Sequence, residues 1–366
     1  MGINIINIHS LRYILTILLG ISCLSITAGF LGVFLVLKKQ ALVGDALSHS
    51  CIPGIVIIYL ITKDFNDKYL FLGSFIASFL VLFLIEIIKK YTKKIKYDAI
   101  LTLLLSSFFG LGKVLLSYAQ IHAPDTKIAR LDKFFLGQAA SISHHQIEKI
   151  IIIFIIVLFI ITIFWKEIKL FIFNEEYATI IGIKPKIMNF IINSLTILVV
   201  VVGLQIVGVI LISSLIIGPG LIARNWSNRL SSNFLISGFC SIIASILGVF
   251  ISSYKFTHND VNIPTGPSIT LILSIFVFLS LLLAPKNGII EKKYRHYQYK
   301  KKIVIFKHLI HLYTNKNDLN NLNIEKINPL FFEQGYLILE KKNKIHFSIK
   351  GKKIVEELIE GRGGGG

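Results

Sequence analysis

The sequence predicts an all-α polytopic membrane protein followed by a small cytoplasmic α+β tail. Three observations carry that expectation. Hydrophobic residues make up 54% of 366 positions and the mean hydropathy is +0.72, a balance no soluble domain of this size shows. The apolar residues gather into about nine segments of membrane-spanning length, roughly 20 residues each, with eight as the alternative count. The basic residues behind the net charge of +19 fall between those segments and after the last of them. A basic chain suggests a nucleic-acid partner, but the positive-inside rule accounts for this distribution. Cys23, Cys51 and Cys240 all lie in apolar segments, so neither a disulfide framework nor a zinc cluster is expected.

The spans follow in order. Leu11–Leu37 is long enough to tilt or overrun a bilayer, and it lacks the cleavage site of a removable signal. Ala41–Leu60 comes next, after Lys38 and Lys39. Tyr69–Ile88 and Ala99–Leu116 flank the richest basic loop, which holds Lys89, Lys90, Lys93, Lys94 and Lys96. Ile147–Phe164 leads into a mixed polar stretch. Ile187–Val202 and Gln205–Ile222 are divided by a turn near Gly203, and Phe234–Ser253 and Pro267–Ala284 complete the set. The lysine and arginine bias puts the N-terminus outside and the C-terminus in the cytoplasm, as a multi-pass protein of the plasma (inner) membrane. One outer loop, Ser117–Glu148, runs against the trend with Lys127, Arg130 and Lys133.

This divides the chain into a transmembrane domain (1–285), a basic juxtamembrane linker that anionic lipid attracts (286–302), a small folded module (303–360) and a disordered glycine tail (361–366). In the module, Ile303–Tyr313 has helical spacing and Asp318–Phe332 has room for two short helices. Gly335–Leu339 and Ile345–Ile349 read as strands, and Lys352–Ile359 as a last helix.

The chemistry concentrates in Ala41–Gly54, ALVGDALSHSCIPG. Asp45 and His49 stand four residues apart, so on a helix they share one face. A carboxylate with an imidazole suits a divalent transition metal, and an ionisable pair within a span is a functional site by default. The competing reading is a helix cap with a packed histidine. Pro53 and Gly54 read as a kink in the pathway, and Gly218, Pro219 and Gly220 as a break or end of the seventh span. Gly208, Ser213 and Ser214 read as close-packing residues. Histidines of the outer loops, such as His122 and His145, read as solvated. Phe171–Gly182, FIFNEEYATIIG, reads as a short helix along the inner surface. The chain has no G-x-x-x-x-G-K-[ST] loop and no hydrolase or HExxH arrangement, so it is not expected to be an enzyme.

Four strings together resemble the manganese/zinc/iron permease family of ABC importers: GDALSHSCIPG at Gly44–Gly54, the Phe173–Gly182 segment, VGVILISSLIIGPGLIAR at Val207–Arg224 and IPTGPSIT at Ile263–Thr270. The likeness runs over about residues 10–285. It implies an integral membrane subunit, a homodimer or paralogous heterodimer, that carries Mn, Zn or Fe as the transported ion and holds no permanent cofactor. An extracytoplasmic metal-binding protein would deliver the ion, and an ATP-binding subunit would hydrolyse the ATP. The resemblance places the metal site on Asp45 and His49, and ATPase coupling on Glu175, Glu176, Tyr177, Ala178 and Gly182.

The tail resembles a winged-helix module. Its recognition helix, near Glu325–Phe332, is short and carries one lysine, so DNA is not expected as a partner. Two rival functions are a secondary cation transporter and a membrane-tethered metal-responsive regulator.

Overall fold

A computed structural model describes residues 8–64, 66–92, 94–122, 144–253, 264–285, 288–314, 331, 334–340 and 344–359. Among the described residues nine helices are long and apolar enough to cross a membrane. They are α1 (Ile8–Leu37), α2 (Leu42–Thr62), α3 (Asp67–Tyr91), α4 (Tyr97–His122), α5 (His144–Ile163), α8 (Pro185–Val207), α9 (Val209–Trp226), α10 (Leu230–Ser253) and α11 (Thr265–Leu283). Between α5 and α8 lie two short helices, α6 (Trp165–Phe173) and α7 (Glu175–Ile180). Local chemistry sets several ends. Asn66 caps α3 by accepting from the Lys68 N–H at 3.1 Å, and Pro185 opens α8, where its missing N–H costs nothing.

The helices form two packed groups, α1 with α9 and α10, and α2 with α3 and α4, bridged by α8. Part of α3 turns large side chains outward and small ones inward. Along α3, Leu72, Ile76, Phe79 and Phe83 are exposed while Gly73, Ser74, Ala77 and Ser78 are buried. That inversion suits lipid, where tails solvate the large residues and small ones let backbones meet. Many serine and threonine hydroxyls inside the bundle return to their own helix, as Ser74 does to the Leu70 carbonyl at 2.7 Å, or cross between helices, as Ser25 does to Ser245 at 2.7 Å.

Glycines set the closest crossings. A Cβ on Gly54 would lie 2.2 Å from the Gly73 carbonyl oxygen, and one on Gly32 would lie 1.7 Å from that of Ile216. Gly220 likewise lies against the Gly32 backbone. This corrects the reading of Pro53, Gly54, Gly218, Pro219 and Gly220 as helix breaks: α2 and α9 run unbroken through them. Gly54 and Gly220 serve as contact points, and each proline is carried within a helix. The real break lies between α8 and α9 at Gly208, five residues beyond the expected turn. Its φ of 84° is open to glycine and strained for other residues.

The chain divides into two compact units after Leu281. In the second unit, the basic residues expected as a linker belong to one long helix, α12 (Ile289–Thr314). Strands β1 (Leu337–Glu340) and β2 (Lys344–Phe347) pair antiparallel, with Leu337 opposite Phe347, and α13 (Ile349–Ile359) follows. Leu309, Phe331, Leu337 and Val355 form a small core. Tyr313 donates to Glu356 at 2.6 Å, a bond that pulls the phenol pKa up. The expected recognition helix lies, apart from Phe331, outside the described residues.

Candidate functional site

Asp45 falls in the first turn of α2, where the partial positive charge of the helix start favours a carboxylate. One turn on, His49 places Nε2 3.4 Å from Asp45 Oδ1. At ~1.5 Å per residue the two stand about 4 and 10 Å from the start of the helix, a shallow position. Most of α2 is buried, yet these side chains stay partly open, at 28% for Asp45 and 23% for His49. Phe109 of α4 packs edge-on against the imidazole, with centroids 5.0 Å apart. His49 Nδ1 is buried with no hydrogen-bond partner. Four residues along, Pro53 has no N–H to give the His49 carbonyl. The pair therefore offers a carboxylate, an imidazole and a neighbouring backbone oxygen on one partly open face. Among the described residues no third His, Cys, Asp or Glu joins them.

The expected coupling residues sit on α7 and just after it. Asn174 caps this helix by accepting from the Tyr177 N–H at 2.9 Å. Ala178 is fully buried, whereas Tyr177, Ile180 and Ile181 are exposed. Glu175 and Glu176 occupy its exposed first turn, and Gly182 ends the segment at φ 95°. The result is an anchored helix that presents an apolar knob.

A connection that sequence reasoning missed joins the two regions. Lys38, just after α1, donates to Asn189 Oδ1 on α8 and sits 3.5 Å over the Phe171 ring of α6. Burial holds the ammonium down at about pKa 8, against the opposing pull of Glu175 and Glu86. One strap thus ties α6 and α8 to the turn that starts α2. The available signals were a lysine bordering a span and an asparagine inside an apolar one.

Among the described residues, nine helices of spanning length and an acid–imidazole pair near the head of a buried one mark a polytopic membrane protein with a candidate site inside it. Comparison gives the family: the ABC 3 transport family model matches residues 10–284, and the chain belongs to that family. It is 34% identical over 279 residues to the zinc transport system membrane protein TroC of Treponema pallidum, covering 76% of this chain and 91% of that one. It is also 34% identical to the manganese transport system membrane protein MntC of Bacillus subtilis, covering 76% of this chain and 62% of that longer one. Among solved structures, PsaBC from Streptococcus pneumoniae in complex with Fab matches at TM-score 0.65 and 28% identity, over 78% of this chain and 98% of that one.

Proposed function

We propose that the chain is the membrane-spanning subunit of an ATP-driven importer of a divalent transition metal, with manganese, zinc and iron as candidates. Family membership joined to the half-open Asp45–His49 pair carries this reading. Relatives named for zinc and manganese transport support the substrate class. Two protein donors make a partial coordination sphere, completed in passage by water, the His49 carbonyl and a second copy of the chain. A partial sphere suits transit, because an ion must leave as readily as it enters.

The chain has no phosphate-binding loop of its own, so a partner hydrolyses ATP. Family membership favours this over secondary transport. The α7 knob of Tyr177, Ile180 and Ile181 seats in the ATPase subunit, and an extracytoplasmic binding protein delivers the metal to the opposite face. The N-terminus lies outside and the C-terminus in the cytoplasm, as the lysines bordering α1, α3, α4 and α8 favour.

Metal uptake by the assembled complex tests the site. Asp45→Asn and His49→Gln each lower uptake tenfold or more, the scale of one lost ligand interaction. Ser48→Ala, on the buried side of the same helix, leaves it near the parent level. Unchanged uptake in both site variants would remove the pair from the pathway.

A further inference from the structure

We propose that the cleft between α3 and α8 binds one anionic phospholipid. The cavity measures 1260 Å³ and opens at the end of α3, the start of α8 and the flank of α7. That exceeds the ~300–1,000 Å³ usual for drug-sized ligands. Its walls and its mouth differ in chemistry. Phe79, Phe83, Ile187 and Phe190 line it and are all exposed, with Phe79 and Phe190 meeting edge-on at 6.2 Å. Lys89, Lys90, Lys184 and Lys186 line the mouth.

Two acids, Glu86 and Glu175, also line the cavity, half the number of its lysines. The ion pairs among the described residues use none of the four mouth lysines. The mouth therefore keeps a positive excess, which complements a phosphodiester. Depth fits the same ligand. Phe79 lies eleven residues before Lys90, about 16 Å at ~1.5 Å per residue. Half of a ~30 Å hydrocarbon core is about 15 Å, so an acyl chain running beside Phe79 and Phe190 leaves its headgroup at the lysines. Basic pockets between spanning helices at the cytoplasmic side hold anionic headgroups by this geometry. A free phosphate would satisfy the lysines and leave the aromatic walls without purpose.

The test uses the full-length protein in phosphatidylcholine vesicles, with or without phosphatidylglycerol, and counts lipids retained after extraction by native mass spectrometry. The parent protein retains one phosphatidylglycerol. Changing Lys89, Lys90, Lys184 and Lys186 together to glutamine lowers that retention tenfold or more. Lys292→Gln with Lys293→Gln on α12 removes two positive charges away from the cleft and changes it little, whereas Lys89→Gln with Lys90→Gln, which removes the same number at the cleft, lowers it. Ile187→Trp, which fills the apolar cleft and leaves the lysines alone, also abolishes retention. Inorganic phosphate does not displace the lipid. Equal retention of phosphatidylcholine, or full retention in the lysine and Ile187 variants, overturns the proposal. So does displacement by phosphate combined with a harmless Ile187→Trp, which would mark a free-anion site. Loss of a co-purifying ATPase subunit with lipid retention intact would make the cleft a protein-docking groove and equally reject it.

Discussion

A methyl group at Gly54 would press into the Gly73 carbonyl, whereas one at Gly218 finds its nearest neighbour at 3.7 Å, ordinary contact. Two similar glycines therefore predict opposite outcomes. Gly54→Ala costs about 1–3 kcal/mol through overpacking of α2 on α3. Gly218→Ala is neutral or gains up to about 1 kcal/mol from helix propensity. Thermal melting of the purified protein separates them. Both residues were visible in the sequence as flexible points, but only the neighbouring backbone distinguishes a contact point from a spare position. The Asp45–His49 pair was legible from spacing alone, while its partly open face was not, because exposure depends on which helices lie alongside.

Lys38 yields a pH prediction at the same scale. Burial lowers its pKa from 10.5 to about 8. Below about 8 the lysine is protonated in folded and unfolded chains alike and adds no pH dependence. Between about 8 and 10.5 the unfolded chain binds the extra proton, so stability rises with pH across that window. Lys38→Met removes this rise. Melting curves of the two proteins from neutral pH to about pH 10 should therefore separate progressively above about 8.

At the scale of elements, spans were the most readable feature because lipid demands both length and continuous apolarity. The turn between α8 and α9 was misplaced for a related reason. Gly203 and Gly208 both interrupt valine-rich helix, and composition cannot tell which takes positive φ. Tertiary packing decides: Gly203 faces Ile212 within the bundle, and Gly208 makes the turn. Gly208→Ala should therefore strain the α8–α9 turn by about 1–3 kcal/mol, read as lowered melting, while leaving the number of spans unchanged. The basic run after Leu281 was misread because lysine-rich sequence looks alike in a solvated helix and a linker. In α12 the Glu291–Arg295 pair, 2.8 Å apart at i,i+4, supports the helix.

On the scale of the whole molecule, the two units hold separate cores, the second small and built on Leu309, Phe331, Leu337 and Val355. A chain ending at Pro285 should keep its melting behaviour and its metal uptake. If the tail is a sensor, the truncated chain loses any response of uptake to metal supply; if uptake itself fails, the tail belongs to the transport machinery. The mixed tail was legible from its alternating strand and from the helical spacing of Ile303–Tyr313, whereas the basic first half of that helix was not.

The incomplete donor set at Asp45 and His49 has a genetic consequence. If two copies share one ion, as proposed above, each would bring half of the protein ligands, and neither half would suffice. A variant such as Asp45→Asn would then spoil every mixed pair it enters. Expressed at equal levels with the parent chain, it leaves about a quarter of dimers intact by random pairing. Uptake in such cells should fall toward that fraction, where independent pathways in each copy would hold it near one half.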